Sequence, residues 1–183
     1  ALYIHFSSKE ALIAGITERD RAKLTGELVE LAKAPDLLAA LLALGEHYAV
    51  EQPHYKRVLF VEIGAESTRN PEVGEIFRST DAFCLQSFAG LFHRAAAEGR
   101  IAPRFDVETI AHVLSVIGDG LFWRRAVDPD FDAKRVLPVI TALIGMMVAP
   151  VGNGDPAAGN APAPPAQTQP APSVQSKDDS ACA

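Results

Sequence analysis

Between residues 70 and 99 the sequence reads N-P-E-V-G-E-I-F-R-S-T-D-A-F-C-L-Q-S-F-A-G-L-F-H-R-A-A-A-E-G. Both ends carry helix punctuation. Asn70 can accept the orphan amides of a first turn, Pro71 suits the first helical position, and Gly99 suits a left-handed cap at the far end. Between them Val73, Ile76, Phe77, Cys84, Phe88, Leu91 and Ala95 recur on one face at helical spacing. The pattern predicts one long helix over 71–98, with Cys84 as inert core.

The same signals recur on both sides. Upstream, Ser7-Ser8-Lys9-Glu10 matches a capping box with Ser7 at the N-cap. Leu12, Ile13, Ile16, Leu24, Leu28 and Leu31 then carry a helix to about Lys33. A second helix is expected from Pro35 to Pro53, and a third from Pro53 to about Glu66 around Val58–Val61. Downstream, Asp106 caps a helix to about Ala126. The D-P-D-F-D turn at 128–132 precedes a last helix to about Val148, in which Pro138 should delay the start or introduce a kink. No strand-like alternation and no internal repeat occurs. The expected fold class is all-α.

Composition narrows the function classes. The chain has 183 residues, a net charge of −6 and 48% hydrophobic residues, enough for a packed core without staples. Two cysteines exclude a disulfide framework and fit a reducing compartment. An acidic balance argues against a general electrostatic grip on nucleic acid. The uncharged run Val136–Val151 falls short of the roughly 20 residues that span a bilayer, and Ala1–Phe6 leads straight into S-S-K-E rather than a signal peptide. A soluble, cytoplasmic protein with no membrane partner is expected. Residues 150–183 are dominated by Pro, Ala, Gly, Gln, Ser and Asp and read as a disordered tail.

The last two helices are apolar on two faces. Ile110, Leu114, Ile117 and Leu121 form one stripe, while Val113, Val116 and Trp123 form another. In the final helix Val136, Ile140, Leu143 and Met147 are backed by Val139, Ala142 and Met146. Such helices need two partners. A homodimer seam is expected, built from Leu114, Ile117, Leu121, Ile140, Leu143 and Met147.

The first dozen residues carry a family resemblance. Residues 2–12, L-Y-I-H-F-S-S-K-E-A-L, resemble the junction between the recognition helix and the next helix in TetR-family transcriptional repressors. E-G-R-I at 98–101 follows the long helix as in that family. G-D-G-L-F-W-R-R at 118–125 resembles the C-terminal domains of its betaine-responsive and multidrug-efflux branches. The resemblance implies a homodimer, a palindromic operator as DNA partner of the full-length protein, and a helical domain holding a small effector. It places Tyr3 and His5 at the DNA-touching end of the recognition helix and Lys9 on a phosphate, which suits a lysine at a helix N-terminus. Residues 1–7 are then the remnant of the DNA-binding domain and 8–149 the ligand-binding and dimerisation domain. A helix-turn-helix needs more than this remnant, so the expectation is an N-terminally truncated regulator that by itself does not read an operator. The competing expectation is a helical homodimerisation or interaction module without DNA binding.

Tyr55, Phe60, Glu62, Phe83, Phe88 and Trp123 lie on the helices that surround the ligand in the family, so they are the candidate ligand-binding residues for a small hydrophobic or cationic effector. Each aromatic also reads as ordinary core. Glu62 would pair either with a cation or with Lys56 or Arg69. His47 and Glu51 share a helix face without a third ligand nearby, so no metal is expected. No phosphate loop or nucleophile elbow occurs. Neither a cofactor nor an enzyme is expected.

Overall fold

Ser8, one residue later than expected, caps the first helix: its Oγ accepts from Ala11 N at 3.0 Å. The structure, a computed structural model, describes residues 6–148. Glu10 therefore falls one position short of a capping box, and its carboxylate instead accepts from Asn70 Nδ2 at 2.9 Å. That bond ties the start of α1 (Lys9–Lys33) to the N-cap of α4 (Pro71–Ala97). Phe6 lies against α1 over Gly15, where an added Cβ would sit 2.9 Å from the ring.

α2 (Leu37–Glu46) starts at an Asp36 cap rather than at Pro35. The aspartate takes the amide of Ala39, which proline ahead of it cannot prevent. α2 runs into a π-helical turn, His47–Glu51, closed by Gln52 N donating to His47 O. Pro53 then forces Gln52 extended and ends the element. α3 (His54–Ser67) follows without a side-chain cap.

α4 has 27 residues, about 40 Å at ~1.5 Å per residue. It ends in a Schellman closure: Gly99 adopts φ 71, its amide donates to Ala96 O, and Arg100 N donates to Ala95 O. α5 (Val107–Val127) begins at Asp106, whose carboxylate takes Thr109 N. α6 (Ala133–Val148) starts ahead of Pro138, so the expected delay does not occur. The proline removes only the bond to the Lys134 carbonyl, and both residues are exposed, so water can replace it.

α4 packs on α1, α3 and α5, while α6 closes over α2 and α5. The main core joins Leu28 and Leu31 of α1, Leu37 and Leu41 of α2, Phe92 and Ala95 of α4, Ile110 of α5, and Ile144 and Val148 of α6. Ala102 N and Arg104 N bond the carbonyls of Val148 and Met147, fastening the α4–α5 loop to the end of α6. A smaller cluster around Ala49, Ala133 and Leu137 sits beneath the π-turn. Among the described residues the fold is all-α, with no strand. The tail expected at 150–183 lies outside the described residues.

Candidate functional site

Mutual packing of α3, α4 and α5 brings three aromatic rings together. Phe60 of α3 lies 6.0 Å from Phe77 of α4 and 5.2 Å, edge-on, from Phe122 of α5. All three are half-buried. On α4 the stripe continues through Asp81, Cys84 and Phe88, and on α5 Ser115 and Asp119 share the face of Phe122. Ser115 Oγ donates to Asp81 at 3.3 Å, and the Arg21 guanidinium of α1 lies 4.6 Å over the Phe83 ring. Burial, followed by the charges of neighbouring carboxylates, pushes the Cys84 thiol up to about 11. Burial and the neighbouring Asp81 also raise the Asp119 carboxyl above its ordinary value. Aromatic faces beside two carboxylates suit a small apolar or cationic molecule.

Asp119 gives this arrangement a pH signature. A carboxyl whose folded pKa lies above its unfolded value binds its proton more tightly in the native state. It therefore costs stability above the folded pKa, and that cost disappears as pH falls below the unfolded value near 3.8. Asp119→Asn should raise the melting temperature at pH 7 and lose that advantage below about pH 4. Parallel melting curves at the two pH values check this, and a variant less stable at pH 7 would refute it.

A second polar network joins α1 to the π-turn. Tyr48 donates to Glu27 at 2.6 Å, and burial with this carboxylate pushes the phenol well above its ordinary range. Lys23 bridges Glu27 at 3.3 Å and sits 2.8 Å from His47 Nε2, while His47 Nδ1 meets Glu51 at 2.9 Å. The His47–Glu51 pair is thus a hydrogen bond with an ammonium group beside it.

The structure separates the expected ligand residues into two groups. Phe60, Phe83 and Phe88 are half-buried among the helices, and Phe88 packs on the main core. Tyr55 is 65% exposed, Glu62 is exposed, and Trp123 is half exposed beside Arg124. Glu62 does not meet Arg69, which pairs with Glu66 instead. Helical spacing accounts for this: Glu66 is three residues from Arg69 and Glu62 is seven. An open cleft of about 450 Å³, lined by Val29, Ala32, Arg94 and Arg100 among others, takes none of these aromatics. Among the DNA-contact candidates, Tyr3 and His5 lie outside the described residues. Lys9 Nζ lies 3.1 Å from Glu66 Oε1, with most of its side chain exposed.

On the outer flank, α5 and α6 leave apolar side chains uncovered. Val113, Val116, Trp123 and Val127 of α5 and Val139, Leu143 and Met146 of α6 are all exposed. The other residues expected at a seam turn inward. Leu114, Ile140 and Met147 pack on the main core and Leu121 on the smaller cluster, while Ile117 is half-buried. No described helix is long and apolar enough to cross a membrane.

Among the described residues, six α-helices with an aromatic cluster between α3, α4 and α5 and exposed apolar side chains on α5 and α6 make a helical domain of the kind found in transcriptional regulators. The chain belongs to the TetR family: the family described as "BetI-type transcriptional repressor, C-terminal" matches residues 54–149. It is 30% identical over 116 residues to the HTH-type transcriptional regulator UidR of Escherichia coli strain K12, covering 62% of this chain and 57% of that protein. The same figures hold for UidR of Shigella flexneri. The chain thus spans little more than half the length of these curated relatives. The solved structure of Salmonella enterica GusR matches with a TM-score of 0.67 and 26% identity, over 80% of this chain and 76% of that one.

Proposed function

We propose that this chain is the effector-binding and dimerisation part of a ligand-responsive transcriptional repressor, acting in the cytoplasm as a homodimer and without enzymatic activity. Residues 8–149 hold the effector and build the dimer, and residues 1–7 end the DNA-reading head. The observation that carries the reading is the uncovered apolar flank of α5 and α6, in a chain of a family of transcriptional repressors. Two such flanks from two chains make a four-helix seam. The effector, small and hydrophobic or cationic, sits at Phe60, Phe77 and Phe122, close to Asp81 and Asp119. By binding one arrangement of the dimer better than the other, it changes the spacing of the two heads, and only by that difference in affinity.

Benzyltrimethylammonium, an aromatic cation, is a suitable first probe. It should raise the melting temperature of the chain, and Phe60→Ala together with Asp119→Asn should abolish the rise. An equal rise in the double variant would remove the aromatic cluster from the effector role.

A further inference from the structure

Two arginines, Arg57 buried and Arg125 half-buried, have no acid to balance them among the described residues. Arg57, one turn into α3, is 4% exposed. Its Nη1 donates to the Gln52 carbonyl at 2.5 Å, and its buried Nε–H has no partner. Arg125, in the last turn of α5, donates through Nη1 to the carbonyls of Pro129 and Phe131, and its buried Nε–H is also unpartnered. Neither arginine forms an ion pair among the described residues. Burial first, and the charge of Arg125 second, press the Arg57 guanidinium below its ordinary value.

The surroundings add to the positive field. Arg57 reaches back to Gln52, so its head lies at the N-terminal end of α3, a helix with no side-chain cap. A helix N-terminus carries partial positive charge, which makes this a poor place for a cation and a good one for an anion. Of the carboxylates close in sequence, Glu51 meets His47, Asp128 takes the Asp130 amide, Asp132 takes the Arg135 amide, and Asp130 is exposed and forms no ion pair among the described residues. An isolated buried charge costs far more than a paired one, and an unsatisfied buried N–H adds to that cost.

We propose that Arg57 and Arg125 form an anion site that takes the carboxylate of a small molecule with an apolar body. Each Nη1 is fixed on backbone carbonyl oxygen, so the guanidiniums are held in place while their Nε–H edges remain to be filled. A planar carboxylate with two acceptor oxygens matches such donors. The apolar body has a place as well. Phe60 and Phe122, in edge contact, lie three residues from Arg57 and Arg125 on their respective helices, one turn away on the same faces. Arg125 is only half-buried and gives the pair its route to solvent. The anion site shares Phe60 and Phe122 with the proposed effector cluster, but it depends on the two arginines, so its failure in the arginine variants is distinguishable from failure of the cluster in the Phe60→Ala, Asp119→Asn variant.

Benzoate is the probe and benzamide its neutral isostere, each added at constant ionic strength in chloride. Benzoate should raise the melting temperature of the wild-type chain with the logarithm of its concentration, by on the order of 5–10 °C at a hundredfold excess over its Kd. Benzamide should leave it unchanged. Arg57→Gln and Arg125→Gln should each abolish the response, and Arg57→Lys, which keeps the charge without the fork, should fold and respond more weakly. If the glutamine variants fail to fold, Arg57→Lys still decides the matter: an undiminished response would overturn the site. So would equal stabilisation by benzamide, or no response of the wild type to benzoate. An unresponsive wild type whose dimer is weakened by Arg125→Gln would overturn it too, by assigning the pair to a carboxylate of the second subunit.

Discussion

Glutamate at both Val116 and Leu143 should turn the proposed dimer into a soluble, fully helical monomer, whereas glutamate at Leu121 should destabilise the fold itself. Val116 is 70% exposed and Leu143 47% exposed within one chain, so neither substitution disturbs the monomer's packing. In a four-helix seam the same two positions would be buried on both sides, placing four uncompensated carboxylates in an apolar contact. Breaking up such a contact by burying unpaired charge costs several kcal/mol per site, more than a micromolar dimer can absorb. Leu121 differs because it already packs on the cluster of Ala49, Ala133 and Leu137. A charge there is half-buried against apolar neighbours whether or not the chain dimerises. Light scattering gives the mass and circular dichroism the helicity. A wild type that is monomeric at micromolar concentration, or a double variant that remains dimeric, would remove this face from assembly.

The contrast between Leu121 and Val116 also marks where sequence reading stops. Helix punctuation was legible because it is local: Asn70 with Pro71, Gly99, and Asp106 each act on amides or a φ angle within a few residues. The small shift at Ser8 arose where two adjacent serines could each cap and geometry chose between them, while at Pro35 the first-turn signal gave way to the capping carboxylate of Asp36. Pro138 shows the reverse limit, since a proline near the start of an exposed helix face loses one carbonyl bond to water and little more. On α5 and α6, hydropathy supplies two stripes of equal quality. Only the packing of α3 and α4 against α5, and of α2 against α6, determines which stripe is covered. Phe60, Phe83 and Phe88 could be placed among the helices from their spacing, but the nearness of Phe60 to Phe122 joins positions on α3 and α5 that no local pattern relates. Arg57 and Arg125 are the extreme case, because each looks in sequence like an ordinary surface arginine. For Arg57 the signal was the absence of an acid at helical spacing, whereas Arg125 has Asp128 three residues on, and only the structure shows that this carboxylate takes the Asp130 amide instead.

The other large effect expected is on DNA. Specific readout needs side chains held in the major groove by a supporting helix, and the 183-residue chain offers Tyr3, His5 and Lys9 on a body of net charge −6. By itself it should show no sequence-specific retention at physiological salt. Joined to the helices that complete a TetR-type head, a dimer should bind a palindrome with half-sites about one helical turn, or a multiple of it, apart. Lys9 then has two claims on it, because its ammonium lies 3.1 Å from Glu66. Glu66 also holds Arg69, and Lys9 and Arg69 together keep its carboxyl below the usual range, so it stays charged when Lys9 leaves. With most of its side chain in solvent, Lys9 can exchange this bridge for a phosphate at small cost. Lys9→Ala should weaken binding to all sequences alike and shallow the slope of log K against log salt by about 0.9 per subunit. Glu66→Gln should do the opposite, tightening binding by freeing the lysine and removing a negative charge near the duplex. A mobility-shift series in salt measures all three proteins. Retention of a specific site by the 183-residue chain would show that the remnant suffices, and an unchanged slope in Lys9→Ala would leave that lysine as the partner of Glu66 alone.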